Sequence, residues 1–121
     1  MTGNELIEKA KCTEPNESLI TKIETKYGKI EDSFVKQLLS VRLDDNFLDS
    51  EDILRFLTIS EILSADENLS VSFSLKNTIP MFDIGDNDFI IYQLNSKKWA
   101  CMNIIDGTIF SEKETLEELF E

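Results

Sequence analysis

Between Thr78 and Phe120 the apolar residues fall into short runs separated by turn formers, and that spacing constrains the fold more than anything else in the chain. Ile79 to Ile84 reads as a strand, with Pro80 restricting it to a sheet edge or a strand start. Gly85-Asp86-Asn87 turns the chain. Phe89–Leu94 and Trp99–Ile105 are nearly continuous in apolar residues and are joined by Asn95-Ser96-Lys97, which predicts a hairpin in mid-sheet with both faces covered. Asp106-Gly107 is a two-residue turn signal. Ser111-x-x-Glu114 then predicts a capped closing helix that buries Leu116, Leu119 and Phe120.

The first half is helical by the same reasoning. Thr2-x-x-Glu5 is a capping box, and Leu6, Ile7 and Ala10 share a helical face behind it. Thr13-Glu14-Pro15 predicts the next helix start, since proline is tolerated in a first turn. Leu19, Ile20, Ile23 and Tyr27 form its buried stripe, and Gly28 ends it. Asp32 can cap a third helix with Phe34, Val35, Leu38 and Leu39 inside. Asp44 to Asp52 reads as an acidic loop from which Phe47-Leu48 could tuck onto the core. Ile53–Leu57 suits a short strand, and Thr58-x-x-Glu61 opens a short helix. Leu69, Val71, Phe73 and Leu75 alternate with serines, the pattern of a half-buried strand. Helices first, strands second and a closing helix predict one α+β domain over 1–121, a mostly antiparallel sheet of about four to six strands flanked by helices.

At 121 residues the chain has room for one core. Its net charge of -12 is the unusual feature. Residues 1–60 carry twelve acids against eight bases, and residues 61–121 carry twelve against four, so the second half is the more negative. A field of this sign repels phosphate backbones and anionic lipid, which argues against nucleic-acid or membrane binding. It favours a basic protein partner, although acidity also serves solubility alone. The chain opens without a charged-then-apolar signal segment and has no apolar run long enough to span a bilayer, so a cytoplasmic location is expected. The glycosylation patterns at Asn16 and Asn68 are therefore read as chance.

There is no histidine, which removes Ser-His, Cys-His and His-metal chemistry and the usual general base at neutral pH. Cys12 and Cys101 lie far apart without zinc-ligand spacing; Cys101 reads as a small buried hydrophobe, and nothing requires a disulfide. The loop acids Asp44, Asp45, Asp49 and Asp52 and the turn acids Asp83, Asp86 and Asp88 could supply a carboxylate pair for hydrolysis. Loop aspartates in an acidic chain are more often solvated turn formers. Asp83-x-x-Asp86-x-Asp88 fails the calcium-loop spacing and lies between strands. No catalytic residue, metal site or cofactor is expected. Trp99, beside Lys97-Lys98, is read as core or half-core; an exposed Trp99 would instead suggest a binding anchor.

Several segments resemble the SUKH superfamily, the bacterial immunity proteins related to fungal cell-wall-assembly regulators. Ile23-Glu24 with Tyr27-Gly28 resembles its first block, and Phe34, Val35 and Leu38-Leu39 its second helix. Phe56–Leu63 is similar to the central strand-to-helix block. Ile79–Gly85 with Phe89–Tyr92 resembles the sheet centre, and Ser111–Phe120 the terminal helix. The chain departs at Ile30-Glu31, where the family has Leu-Pro, at Asp45-Asn46-Phe47, where it often has Asn-Gly, and in retaining only Gly85 of a glycine cluster. The resemblance would also allow a loop or helical turn over Leu69–Leu75. It implies a non-enzymatic immunity protein that blocks a toxin's active site or substrate path. The alternative it implies is a regulatory or scaffolding domain that binds a partner through an apolar groove. Under the first, the expected contact residues are the seven aspartates at 44, 45, 49, 52, 83, 86 and 88, presented to a basic toxin domain, a nuclease among the options.

Overall fold

A computed structural model describes residues 1–121. Three helices come first: α1 (Gly3–Lys11), α2 (Glu17–Tyr27) and α3 (Ser33–Ser40). They are followed by β1 (Arg55–Phe56), two short helices α4 (Ile59–Leu63) and α5 (Ala65–Leu69), and a 3-10 turn at Ser74–Lys76. Strands β2 (Thr78–Gly85), β3 (Asp88–Gln93), β4 (Lys98–Asn103) and β5 (Ile109–Lys113) complete an antiparallel five-stranded meander in the order β1-β2-β3-β4-β5, and α6 (Leu116–Leu119) ends the chain. The fold is α+β. No helix is long and apolar enough to cross a membrane.

Where local chemistry and packing agree, the elements form as their residues dictate. Thr2 and Glu5 make a reciprocal capping box, as do Thr58 and Glu61, and Asp32 accepts from the Val35 N–H. Leu6, Ile7 and Ala10, then Ile20, Ile23 and Tyr27, then Val35, Leu38 and Leu39 are buried in one core with the sheet. The Tyr27 hydroxyl donates to the Ile62 carbonyl, tying α2 to α4. The central strands β3 and β4 bury four consecutive residues each, which requires cover on both faces. Trp99 is 2% exposed and packs on Tyr92 with ring centroids 5.1 Å apart; it belongs to the core. Asp86 and Asn87, at φ 55° and 64°, make the tight β2–β3 turn between the paired Gly85 and Asp88.

Five local expectations need correction. Leu69–Leu75 is not a strand. Ser70 leaves α5 in the left-handed conformation, and the Asp66 carboxylate accepts from the Ser74 N–H and hydroxyl, which winds the 3-10 turn instead. Only Phe73 of the alternating residues is fully buried, and Leu75 is 84% exposed. Helix α2 begins at Glu17 behind the Asn16 cap, with Pro15 ahead of it and not in its first turn. Ser111 does not cap a helix; it sits in β5 at φ 54°, and the true cap is Thr115, which accepts from the Glu118 N–H. The β4–β5 connection is a longer loop closed by Gly107 N–H to the Asn103 carbonyl at 2.9 Å, with Gly107 alone of the Asp106-Gly107 pair at positive φ. Of Phe47-Leu48, Leu48 is buried while Phe47 is 62% exposed. Pro80 lies in the second strand of the sheet, but β1 reaches only as far as Met81, so the missing N–H falls at a locally open edge.

Gly28 holds a position no other residue fits well. It ends α2 at φ 123° and ψ 171°, and a Cβ there would stand 3.1 Å from Asn77 Nδ2, the group that donates to the Tyr27 carbonyl. Gly28→Ala is expected to lower the unfolding free energy by about 1–3 kcal/mol. Urea denaturation reads this as a lower midpoint at unchanged slope; an unchanged midpoint would contradict the strain.

Candidate functional site

The largest cavity is an open cleft of about 690 Å³ beside the β2–β3 turn. One wall is the start of α1, Thr2 to Asn4, with Leu119 and Phe120 from the chain's end. Asp49, Ser50 and Asp52 to Leu54 form the other wall. Ile84, Gly85, Asp86 and Asp88 contribute from the turn, with Ile90 and Cys101 on the adjacent strands beneath. No lysine or arginine lines it.

The walls are held by a few contacts. The Asp49 N–H donates to the Met1 carbonyl at 2.8 Å, and its carboxylate pairs with the Met1 amine at 3.1 Å, closing the loop onto α1. Leu48 N–H donates to the Leu54 carbonyl at 2.8 Å, so the segment between them forms a pinched loop with its acids at the tip. Phe120 lies against Gly3 so closely that a Cβ there would be 2.8 Å from the ring. The same ring meets Phe82 edge-on at 5.6 Å. Ile53 packs beside Gly85, where a Cβ would be 3.4 Å from Ile53 Cδ1.

Four of the seven aspartates singled out in the sequence come together here: Asp49, Asp52, Asp86 and Asp88. Asp52 and Asp86 are exposed and make no ion pair. Asp88 is half-buried and accepts from Asn103 Nδ2 at 2.9 Å, with no cation beside it. The other three lie elsewhere. Asp83 accepts from the Gly85 N–H at 2.9 Å and stands 3.7 Å from Arg55 Nη2, as part of a structural network. Asp44 and Asp45 sit on the loop after α3 outside the cleft, and Asp45 is committed to a turn through the Phe47 N–H at 3.0 Å.

Sequence reasoning missed the apolar part of the cleft, Ile84, Ile90, Leu119 and Phe120. Nothing local marks these residues, because they meet only when the C-terminus packs back on the sheet. Cys101 was read as a buried hydrophobe, and burial followed by the Asp88 charge pushes its thiol up. It therefore stays protonated at neutral pH. No three histidine, cysteine or carboxylate side chains stand close enough to hold a metal ion. What the cleft offers chemically is a set of fixed negative charges over an apolar base. Comparison of the chain with known protein families, curated proteins and solved structures gives no match.

The network next to the cleft is sensitive to acid. Arg55 Nη1 donates to Glu61 at 2.7 Å, and this bond, reinforced by the Thr58 N–H, holds the Glu61 carboxyl below its ordinary value of 4.5 despite the opposing desolvation. A carboxylate with a lowered folded pKa stabilises the fold above the unfolded value, and that stability is lost as pH falls through the folded one. Wild-type stability should therefore decline as pH drops below 4.5. Arg55→Met is expected to flatten that decline in urea midpoints taken from neutral to acid pH. A smaller slope should remain, because Glu5, Glu31 and Asp106 are lowered by hydrogen bonds of their own. An identical acid slope in the variant would contradict the role of this pair.

Proposed function

We propose that this chain is a non-enzymatic, SUKH-type immunity protein that neutralises a basic protein partner, such as a nuclease toxin domain, by docking on it through the acidic cleft. The observation that carries this reading is the convergence of Asp49, Asp52, Asp86 and Asp88 on one concave surface without a lysine or arginine in its lining. Elsewhere some acids are neutralised in place: Lys97 meets Glu31 at 2.8 Å, Lys26 meets Glu67 at 3.4 Å, and Lys98 lies 3.7 Å from Glu114. Asp52, Asp86 and Asp88 make no ion pair and stand on a concave surface, the arrangement that focuses potential toward a cationic approach. A nuclease holds a basic cleft for phosphate, and carboxylates on a strand-connecting turn and the loop facing it can occupy it as phosphate mimics.

The carboxylates of the cleft suit display better than turnover. Three of the four are exposed, whereas general acid catalysis calls for a carboxyl whose proton affinity burial has raised. The apolar-groove alternative has less room: the hollow between Val41, Leu43, Phe56, Leu57 and Ile59 holds about 140 Å³.

Steering by such a field lifts association to about 10⁸–10⁹ M⁻¹ s⁻¹ at low salt, against about 10⁵–10⁶ without it. For a basic partner purified from the native lysate, the association rate should fall more than about tenfold between roughly 0.02 and 0.2 M salt. Asp52→Lys/Asp86→Lys should lower it by a similar factor, and Asp44→Lys/Asp45→Lys by much less. A rate independent of salt and of the cleft charges would rule out the mechanism.

A further inference from the structure

We infer that the cleft is the receptor for a single arginine side chain of the partner, an inference that rests on the reading of the cleft as the docking surface. The open cleft of about 690 Å³ admits a long side chain of the partner together with part of the surface that carries it. The lining sets the chemistry of that side chain. Ile84, Ile90, Leu119 and Phe120 present apolar surface, while Asp52, Asp86 and Asp88 approach from two different segments. The complement is a side chain with an aliphatic stem and a cationic head.

Arginine fits better than lysine for three reasons. Carboxylates are acceptors only, and a guanidinium carries five donors in a planar fork that can engage carboxylates from more than one direction. It is more weakly hydrated than an ammonium, so it enters a partly apolar site at lower cost. The lining also includes an aromatic ring, Phe120, and aromatic rings pair more often with arginine. Arginine is among the residues enriched at interface hot spots, where an anchor fills a pocket ringed by contacts that exclude water.

The test uses isotope-labelled full-length protein and capped pentapeptides of four glycines around a central arginine, lysine or citrulline, at about 0.15 M salt. The arginine peptide is expected to move the backbone amide resonances of Gly85, Asp86, Asp88, Ile90 and Phe120 in a saturable way. Its affinity should exceed that of the lysine peptide by several-fold, and the neutral citrulline peptide should leave those resonances in place. Asp52→Asn/Asp88→Asn should weaken the arginine peptide by roughly tenfold, the loss of about 1.4 kcal/mol. Equal binding of lysine and arginine, or arginine shifts spread over the outer acidic surface with the cleft unmoved, would overturn the inference. The two levels separate cleanly. If arginine misses the cleft while Asp52→Lys/Asp86→Lys still slows the partner, the anchor is wrong and the docking surface stands. If that charge reversal has no effect on the partner, the docking surface itself is wrong.

Discussion

Phe82 holds together the parts of the molecule that make the cleft. Its ring is fully buried, 5.2 Å from Phe56 of β1 and 5.6 Å from Phe120 at the chain's end. Phe120 in turn presses on Gly3 in the first turn of α1. One strand residue thus ties together segments from the beginning, middle and end of the sequence. A glycine at position 3 is what permits the approach, since any Cβ would meet the ring at 2.8 Å. With those contacts made, the Asp49–Leu54 loop and the β2–β3 turn face one another across a hollow.

Charge placement follows from the same geometry. The tight β2–β3 turn carries Asp86 at its tip and sets Asp88 at the start of β3, where Asn103 of β4 orients it. The 49–54 loop is pinned through Asp49 to α1 and through Leu48 to Leu54. Asp83, two residues before the turn glycine, looks like a member of the same set but serves Arg55 and Glu61, which lock β1 to β2 and to the head of α4. The acids divide into those that hold the scaffold and those left facing out.

Much of the fold was legible because local and tertiary preferences agree. The apolar runs at Phe89–Tyr92 and Trp99–Met102 could be satisfied only in mid-sheet, although Ile104-Ile105 leave the strand and Ile105 is 75% exposed. The Thr2 and Thr58 boxes start helices where the apolar stripes begin. Reading failed where one side chain decided the local winding. At Leu69–Leu75 the strand period is present, yet Asp66 captures Ser74 and Ser70 turns left-handed. At Ser111 a capping pattern was satisfied on paper, but an edge strand pairing with β4 took the residues, and Thr115 four positions later caps the shorter α6. The acids of the cleft were visible as a set of loop and turn aspartates. Their division into cleft, network and outer loop was not visible, because it depends on where Arg55 and Phe120 come to rest.

The most direct test is hydrogen exchange of the protein alone and bound to a basic partner. Slowed exchange at Ser50–Leu54 and Ile84–Asp88 together, with the open edge strand Ile109–Lys113 unchanged, is the expected result. Protection confined to that edge strand or to the Val41–Ile59 hollow, with the cleft segments exchanging as before, would contradict the central claim.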